Sequence, residues 1–115
     1  MDDLAAEQFC YLTTTGRRSG RPHEIEIWFG LADGTLYMLS GGGEKSDWVA
    51  NLVANRNVSL RIGERTFETI ARVVSDPNER KLAARLLLEK YEPTYTGDLT
   101  AWGDTALPIA IDLPL

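Results

Sequence analysis

The sequence predicts a mainly β, α+β fold: a small antiparallel barrel of six strands with two or three short helices. Three observations carry this. Six short segments rich in β-branched and aromatic residues recur at hairpin spacing, two connections carry tight-turn pairs, and helical periodicity interrupts the series only between strands. The first strand is "QFCYLTTT", residues 8–15, and "GRRSGRP" is a turn broken by Gly16, Gly20 and Pro22. "HEIEIWF", residues 23–29, alternates with period two: Ile25, Ile27 and Phe29 face one way, Glu24, Glu26 and Trp28 the other. Asp33-Gly34 is a favoured hairpin pair, and "TLYMLS", residues 35–40, is the returning strand.

A first helix begins near Ser46, a plausible cap, and runs through "DWVANLVANR" with Trp48, Val49, Leu52 and Val53 as its buried face. "NVSLRI" and "TFETIARVV" follow as strands joined through Gly63-Glu64. A second helix is capped by Asp76, has Pro77 in its first turn, and carries Glu79 in a capping-box-like position. Leu82, Ala83, Leu86 and Leu87 form its apolar stripe. "LPIAIDL" is the last strand, expected to start after Pro108 because proline cannot donate to a central ladder.

At 115 residues, 43% hydrophobic and 25% charged, the chain reads as one globular domain, residues 1–115. Its apolar runs are too short to span a bilayer, and the acidic start "MDDLAAEQF" does not have the pattern of a secretion signal. Cys10 is the one cysteine, which excludes an intrachain disulfide and suits a reducing cytoplasm. With His23 as the one histidine, no structural zinc site is expected. A net charge of −5 argues against nucleic acid as a partner. The basic turn is therefore local, suited to one small anion.

Two constellations carry candidate chemistry. In the turn, Arg17, Arg18 and Arg21 bring guanidinium forks, and Thr14, Thr15 and Ser19 add short donors beside glycine backbone, a pattern that suits phosphate. An exposed hairpin charged only because it meets water is the other reading. In "LSGGGEKSDWVANL", Gly41, Gly42 and Gly43 lie between a strand end and a helix start. Without Cβ atoms they let a flat ring approach the backbone, or they form a plain connector. Lys45 is a second phosphate contact or a surface lysine; Trp48 is read as core rather than ligand wall, and Asn51 beside it faces ligand or solvent.

"LTTTGRRSGRP", the DG hairpin, "LSGGGEKSDWVANLVANRNVSL", "ARVVSDPNER" and the closing "WGDTALPIAIDLP" resemble the deazaflavin (coenzyme F420)-dependent nitroreductase family, over about Tyr11 to Pro114. The resemblance implies a split β-barrel related to pyridoxamine-phosphate-oxidase-like and FMN-binding proteins, often a homodimer. It implies hydride transfer from reduced coenzyme F420, a deazaflavin with a phosphate-bearing, glutamate-ended tail, to a quinone-like, nitro or other conjugated acceptor. An FMN- or tetrapyrrole-binding split barrel and a non-enzymatic carrier are the competing readings.

Matched to the family, Arg17 and Arg18 are the basic pair after TTG, flanked by Thr15 and Ser19, with Arg18 first for the phosphate. His23 stands where relatives often carry arginine. Gly41, Gly42 and Gly43 match backbone lining the ring, with Ser40 near its reactive edge, and Lys45, Trp48 and Asn51 match the segment after them. Trp28 stands where some relatives have a substrate-pocket tyrosine. Tyr91 and Tyr95 fall where relatives place tyrosines over the pocket, and a tyrosine hydroxyl there could protonate the reduced product. Tyr91, one turn beyond Leu87, also suits packing, so Ser40 and Tyr95 are the catalytic candidates. Cys10 is read as a packing residue, and Glu24 and Glu26 as facing water or a dimer edge.

Overall fold

The structure, a computed structural model, describes residues 4–95 and 97–113; the acidic Met1–Asp3 start and Pro114 lie outside them. Seven antiparallel strands form one sheet: β1 (Cys10–Thr15), β2 (Pro22–Ile27), β3 (Gly30–Ala32), β4 (Thr35–Ser40), β5 (Asn57–Ile62), β6 (Arg65–Val73) and β7 (Leu107–Asp112). Their order is β2-β1-β5-β6-β7-β4-β3. The two edge strands are consecutive in the chain, separated only by Trp28 and Phe29, so the sheet must curl until its edges approach. The chain, not a ladder, completes this half-barrel.

The strand expected over residues 23–29 ends at Ile27, and the seventh strand, β3, starts beyond it at Gly30, where no strand was expected. Tyr91 is the cause. Its buried hydroxyl accepts from the Phe29 N–H at 2.9 Å and lies 2.8 Å from the Gln8 carbonyl and 3.1 Å from that of Phe29. A side chain thus takes the Phe29 backbone groups that a continuous strand would have spent on its neighbour. Burial pushes the Tyr91 phenol up to about 12, which keeps it a neutral donor.

Both tight hairpins form as expected. Asp33 and Gly34 both have positive φ, 52° and 80°, between the pair Ala32 and Thr35, as a primed turn requires. Gly63, at φ 57°, opens the turn between Ile62 and Arg65. Pro108, however, lies inside β7, opposite Leu39, rather than before it. It is the strand's second residue, and on the β6 side only its carbonyl is used, accepting from the Val74 N–H at 3.0 Å.

The helices are α1 (Asp47–Ala54), α2 (Pro77–Tyr91) and the short α3 (Thr100–Thr105). Asp76 caps α2 by accepting from the Glu79 N–H at 2.8 Å. The box closes on that side only, because the Glu79 carboxylate turns to Arg72 and Tyr37. Ser46 occupies the N-cap position of α1, but its side chain caps nothing; it pairs with Ser40 instead. Val53, expected in the buried face, is 58% exposed, while Val49 and Leu52 are buried. On α2, Ala83 and Leu87 are buried and Leu82 and Leu86 pack partly.

Two apolar layers result. Alternate residues of β4 and β7 point inward, as Leu36, Met38, Ile109 and Ile111 do, joining Leu12, Leu60 and Leu52. Their neighbours Tyr37, Leu39 and Ala110 point outward and are covered by Leu87 and Tyr91 of α2. With both faces buried, these strands read as continuous apolar runs. Cys10 belongs to the inner layer, where burial pushes its thiol up to about 12, so it packs rather than reacts.

Candidate coenzyme-binding site

The basic turn closes on itself. The Gly16 N–H donates to the Arg21 carbonyl and the Gly20 N–H to the Gly16 carbonyl, both at 2.8 Å. Gly20 has φ 70°, a conformation that a side chain disfavours. The Ser19 hydroxyl accepts from the Arg21 N–H at 3.2 Å and lies 3.5 Å from His23 Nε2. The turn packs against the start of α1, and the two elements bound a cleft of about 590 Å³.

Six expected residues line that cleft: Arg17, Arg18, Ser19, His23, Trp48 and Asn51. Arg17 is already engaged. Its guanidinium donates to Asn51 Oδ1 at 2.8 Å and to Asp47 Oδ1 at 3.3 Å. Arg18, Ser19, Arg21 and His23 are exposed. Trp48 is half-buried against the inner core while also lining the cleft, so it is both packing and wall. Glu24 and Asp47 add two carboxylates to the lining. Thr15 lines a neighbouring cleft of about 870 Å³ on β1, β5 and β6.

The glycine run leads into the N-terminus of α1, and its residues are not among those lining the cleft of the basic turn. Ser40 is 2% exposed, and its hydroxyl lies 3.0 Å from the Gly43 carbonyl and 2.8 Å from Ser46 Oγ, fixing the loop's shape. Gly43 has φ 59°. A Cβ on Gly42 would come within 2.5 Å of Ser46 Oγ, so a side chain there would turn that hydroxyl away from Ser40. A Cβ on Gly41 would sit 3.6 Å from the Trp102 indole. Lys45 ends a 3-10 turn, Gly43–Lys45, with its side chain exposed.

That indole belongs to an aromatic cluster. Trp28 stacks on Tyr91 with centroids 4.2 Å apart and planes 5° apart, and meets Tyr95 and Trp102 edge-on at 5.9 and 5.8 Å. Tyr95 is 47% exposed. Sequence reasoning assigned no role to Asp47 or Trp102. Asp47 had a readable signal, since it stands four residues before Asn51 on one helix face. Trp102 had none, because only packing of α3 brings it to Gly41.

The sequence profile of the F420H(2)-dependent quinone reductase family matches residues 2–114. The chain belongs to this family. This family member is therefore an F420-dependent reductase, with coenzyme F420 as its cofactor. It is similar to an F420-H2 dependent reductase at 25% identity and TM-score 0.72, covering 90% of this chain and 93% of that one. It shares its fold with a conserved hypothetical protein from Mycobacterium tuberculosis (21% identity, TM-score 0.78, 100% and 82% coverage). A candidate pyridoxamine 5′-phosphate oxidase from Listeria innocua shares it too (18%, TM-score 0.71, 97% and 88%). The fold is thus the split barrel, with seven strands where six were expected. Among the described residues no helix is long and apolar enough to cross a membrane, and no group of three or more potential ligands could hold a metal ion.

Proposed function

We propose that this F420-dependent reductase acts on a conjugated acceptor, quinone-like or nitro, held against the aromatic cluster around Trp28. The supporting observation is the position of Trp102, whose indole borders the Cβ-free backbone at Gly41 while its ring meets Trp28 edge-on. The residues present fit the coenzyme: a bare backbone at Gly43, where an added Cβ would meet open space, for a flat ring, and an exposed cluster of donors at Arg18, Ser19, Arg21 and His23 for a phosphate. When bound, the reduced deazaflavin supplies the hydride. Arg18 grips the phosphate with a charged fork, and Lys45 adds a point charge near the glycine run. Ser40 acts through the loop it ties to Ser46. The Tyr95 hydroxyl, open to water, gives a proton to the reduced acceptor and regains one from solvent.

The edge strand β2 exposes Pro22, His23 and Glu24, and its cover by a second copy, giving a homodimer, completes the proposal. The buried Cys10 thiol suits a reducing cytoplasm. Incubating the protein with reduced F420 and a naphthoquinone or a nitroaromatic, and following loss of reduced coenzyme, tests the reaction. Oxidation of the coenzyme is expected, with Tyr95→Phe lowering kcat and leaving coenzyme affinity intact. Tight FMN binding without deazaflavin binding, or no turnover with either acceptor class, overturns it.

A further inference from the structure

We infer that Arg17 and Asn51 are positioning residues, which lock the basic turn onto α1 instead of touching the coenzyme. The inference rests on the coenzyme reading of the cleft. Asn51 is 5% exposed, yet its amide is almost fully used. Oδ1 accepts twice, from the Arg17 backbone N–H at 3.2 Å and from Arg17 Nη1 at 2.8 Å. Nδ2 donates to the hydroxyl of Thr14, 1% exposed, at 3.3 Å. Both acceptor lone pairs are thus committed, and one of its two N–H donors is spent inside the protein. Arg17 spends further donors on the Asp47 carbonyl at 3.5 Å and on the Asp47 carboxylate at 3.3 Å. A guanidinium anchored beside a carboxylate is poorly placed to receive a second anion.

These bonds form one chain across the site. Thr14 ends the last inward position of β1, Arg17 opens the turn, and Asp47 and Asn51 stand on the first two turns of α1. Ser46, immediately before Asp47, is bonded to Ser40 beside the glycine run. Arg17 and Asn51 therefore set the separation between the anion-holding turn and the backbone that faces the ring. A ligand that spans both ends feels any change in that separation, because its two ends cannot then be satisfied together.

Amide hydrogen exchange on the protein without coenzyme separates positioning from contact, because a residue that only touches the ligand cannot change the empty turn. In Arg17→Ala and in Asn51→Ala, exchange at the Gly16 and Gly20 amides rises about tenfold, and F420 affinity falls about tenfold. The double variant loses no more affinity than either single one. Arg17→Lys restores part of the protection, and Arg18→Ala weakens binding with exchange unchanged. Unchanged exchange in the two alanine variants overturns the inference, as does an additive loss of affinity in the double variant. If Asn51→Ala does not fold, Arg17→Ala and Arg17→Lys carry the same comparison. Failure of the wild-type protein to bind F420 overturns the coenzyme reading, and the exchange result still decides whether these residues hold the turn.

Discussion

Arginine does two different jobs in this molecule, and the difference lies in what surrounds it. Arg72 on β6 is saturated. It grips Glu79 of α2 through two bonds of 2.8 and 2.7 Å and Asp112 of β7 through two of 3.0 and 3.2 Å. Tyr37 donates to the same Glu79 at 2.7 Å, and Thr35 to Asp112 at 2.9 Å. The arginine's charge is met by two carboxylates within the fold, and the group ties α2 to the sheet. In the turn at Gly16–Arg21, three arginines meet one well-exposed carboxylate, Asp47, through Arg17 alone. An arginine answered on every side is architecture. Arginines left beside a cleft with donors to spare are the surface we propose for the coenzyme's phosphate.

The largest expected effect lies beneath the first region. Leu87→Ala removes a fully buried side chain that holds α2, and should cost about 2–5 kcal/mol in urea unfolding. Leu86→Ala, at a half-buried position, should cost less. The two arginine classes should then separate cleanly. Arg72→Ala should cost roughly 1.5–3 kcal/mol of stability with F420 affinity unchanged. Arg18→Ala should cost roughly 1.5–3 kcal/mol of F420 binding with the unfolding midpoint unchanged. An Arg18→Ala protein that melts early but binds normally would erase the distinction.

Acid should break the first region selectively. Arg72, then Tyr37, hold the Glu79 carboxyl down at about 2 from its ordinary 4.5. A depressed carboxyl stabilises the fold above its unfolded value, so stability should be lost as pH falls from 4.5 toward 2. Glu79→Gln should flatten that slope in an acid titration followed by circular dichroism. At the alkaline end, burial and then Glu79 push the Tyr37 phenol up to about 12 from 10, so its contribution is complete below pH 10 and lost as pH rises through 12. The smallest effect belongs to the second region. Glu24→Gln, which removes a carboxylate from the cleft lining, should tighten F420 binding by about 0.2–1 kcal/mol in a fluorescence titration.

Much of the fold was legible because its signals are local. Asp33-Gly34 and Gly63 need only their neighbours to form tight turns, and Asp76 and Pro77 start α2 from within four residues. The errors share the opposite cause. The strand break at Trp28 and Phe29 depends on Tyr91, whose hydroxyl arrives from 62 residues away. Val53 fits a helical stripe but stays 58% exposed, and Ser46 prefers Ser40 to its own helix. At the site, the turn and the glycine run were readable as donors and bare backbone. That Arg17, exposed like Arg18, is the one tied to Asp47 and Asn51 was not, since adjacent arginines are chemically identical until those two residues are placed beside one of them.

The sequence alone determined which residues turn, which alternate and which carry donors suited to an anion, because backbone preference and side-chain chemistry act over a few residues. Tertiary structure decided which donors remain available and which aromatic rings border the glycine backbone. A hydrogen bond or a stacked ring requires contact within a few ångströms, and only the curled sheet and its helices bring such distant segments together.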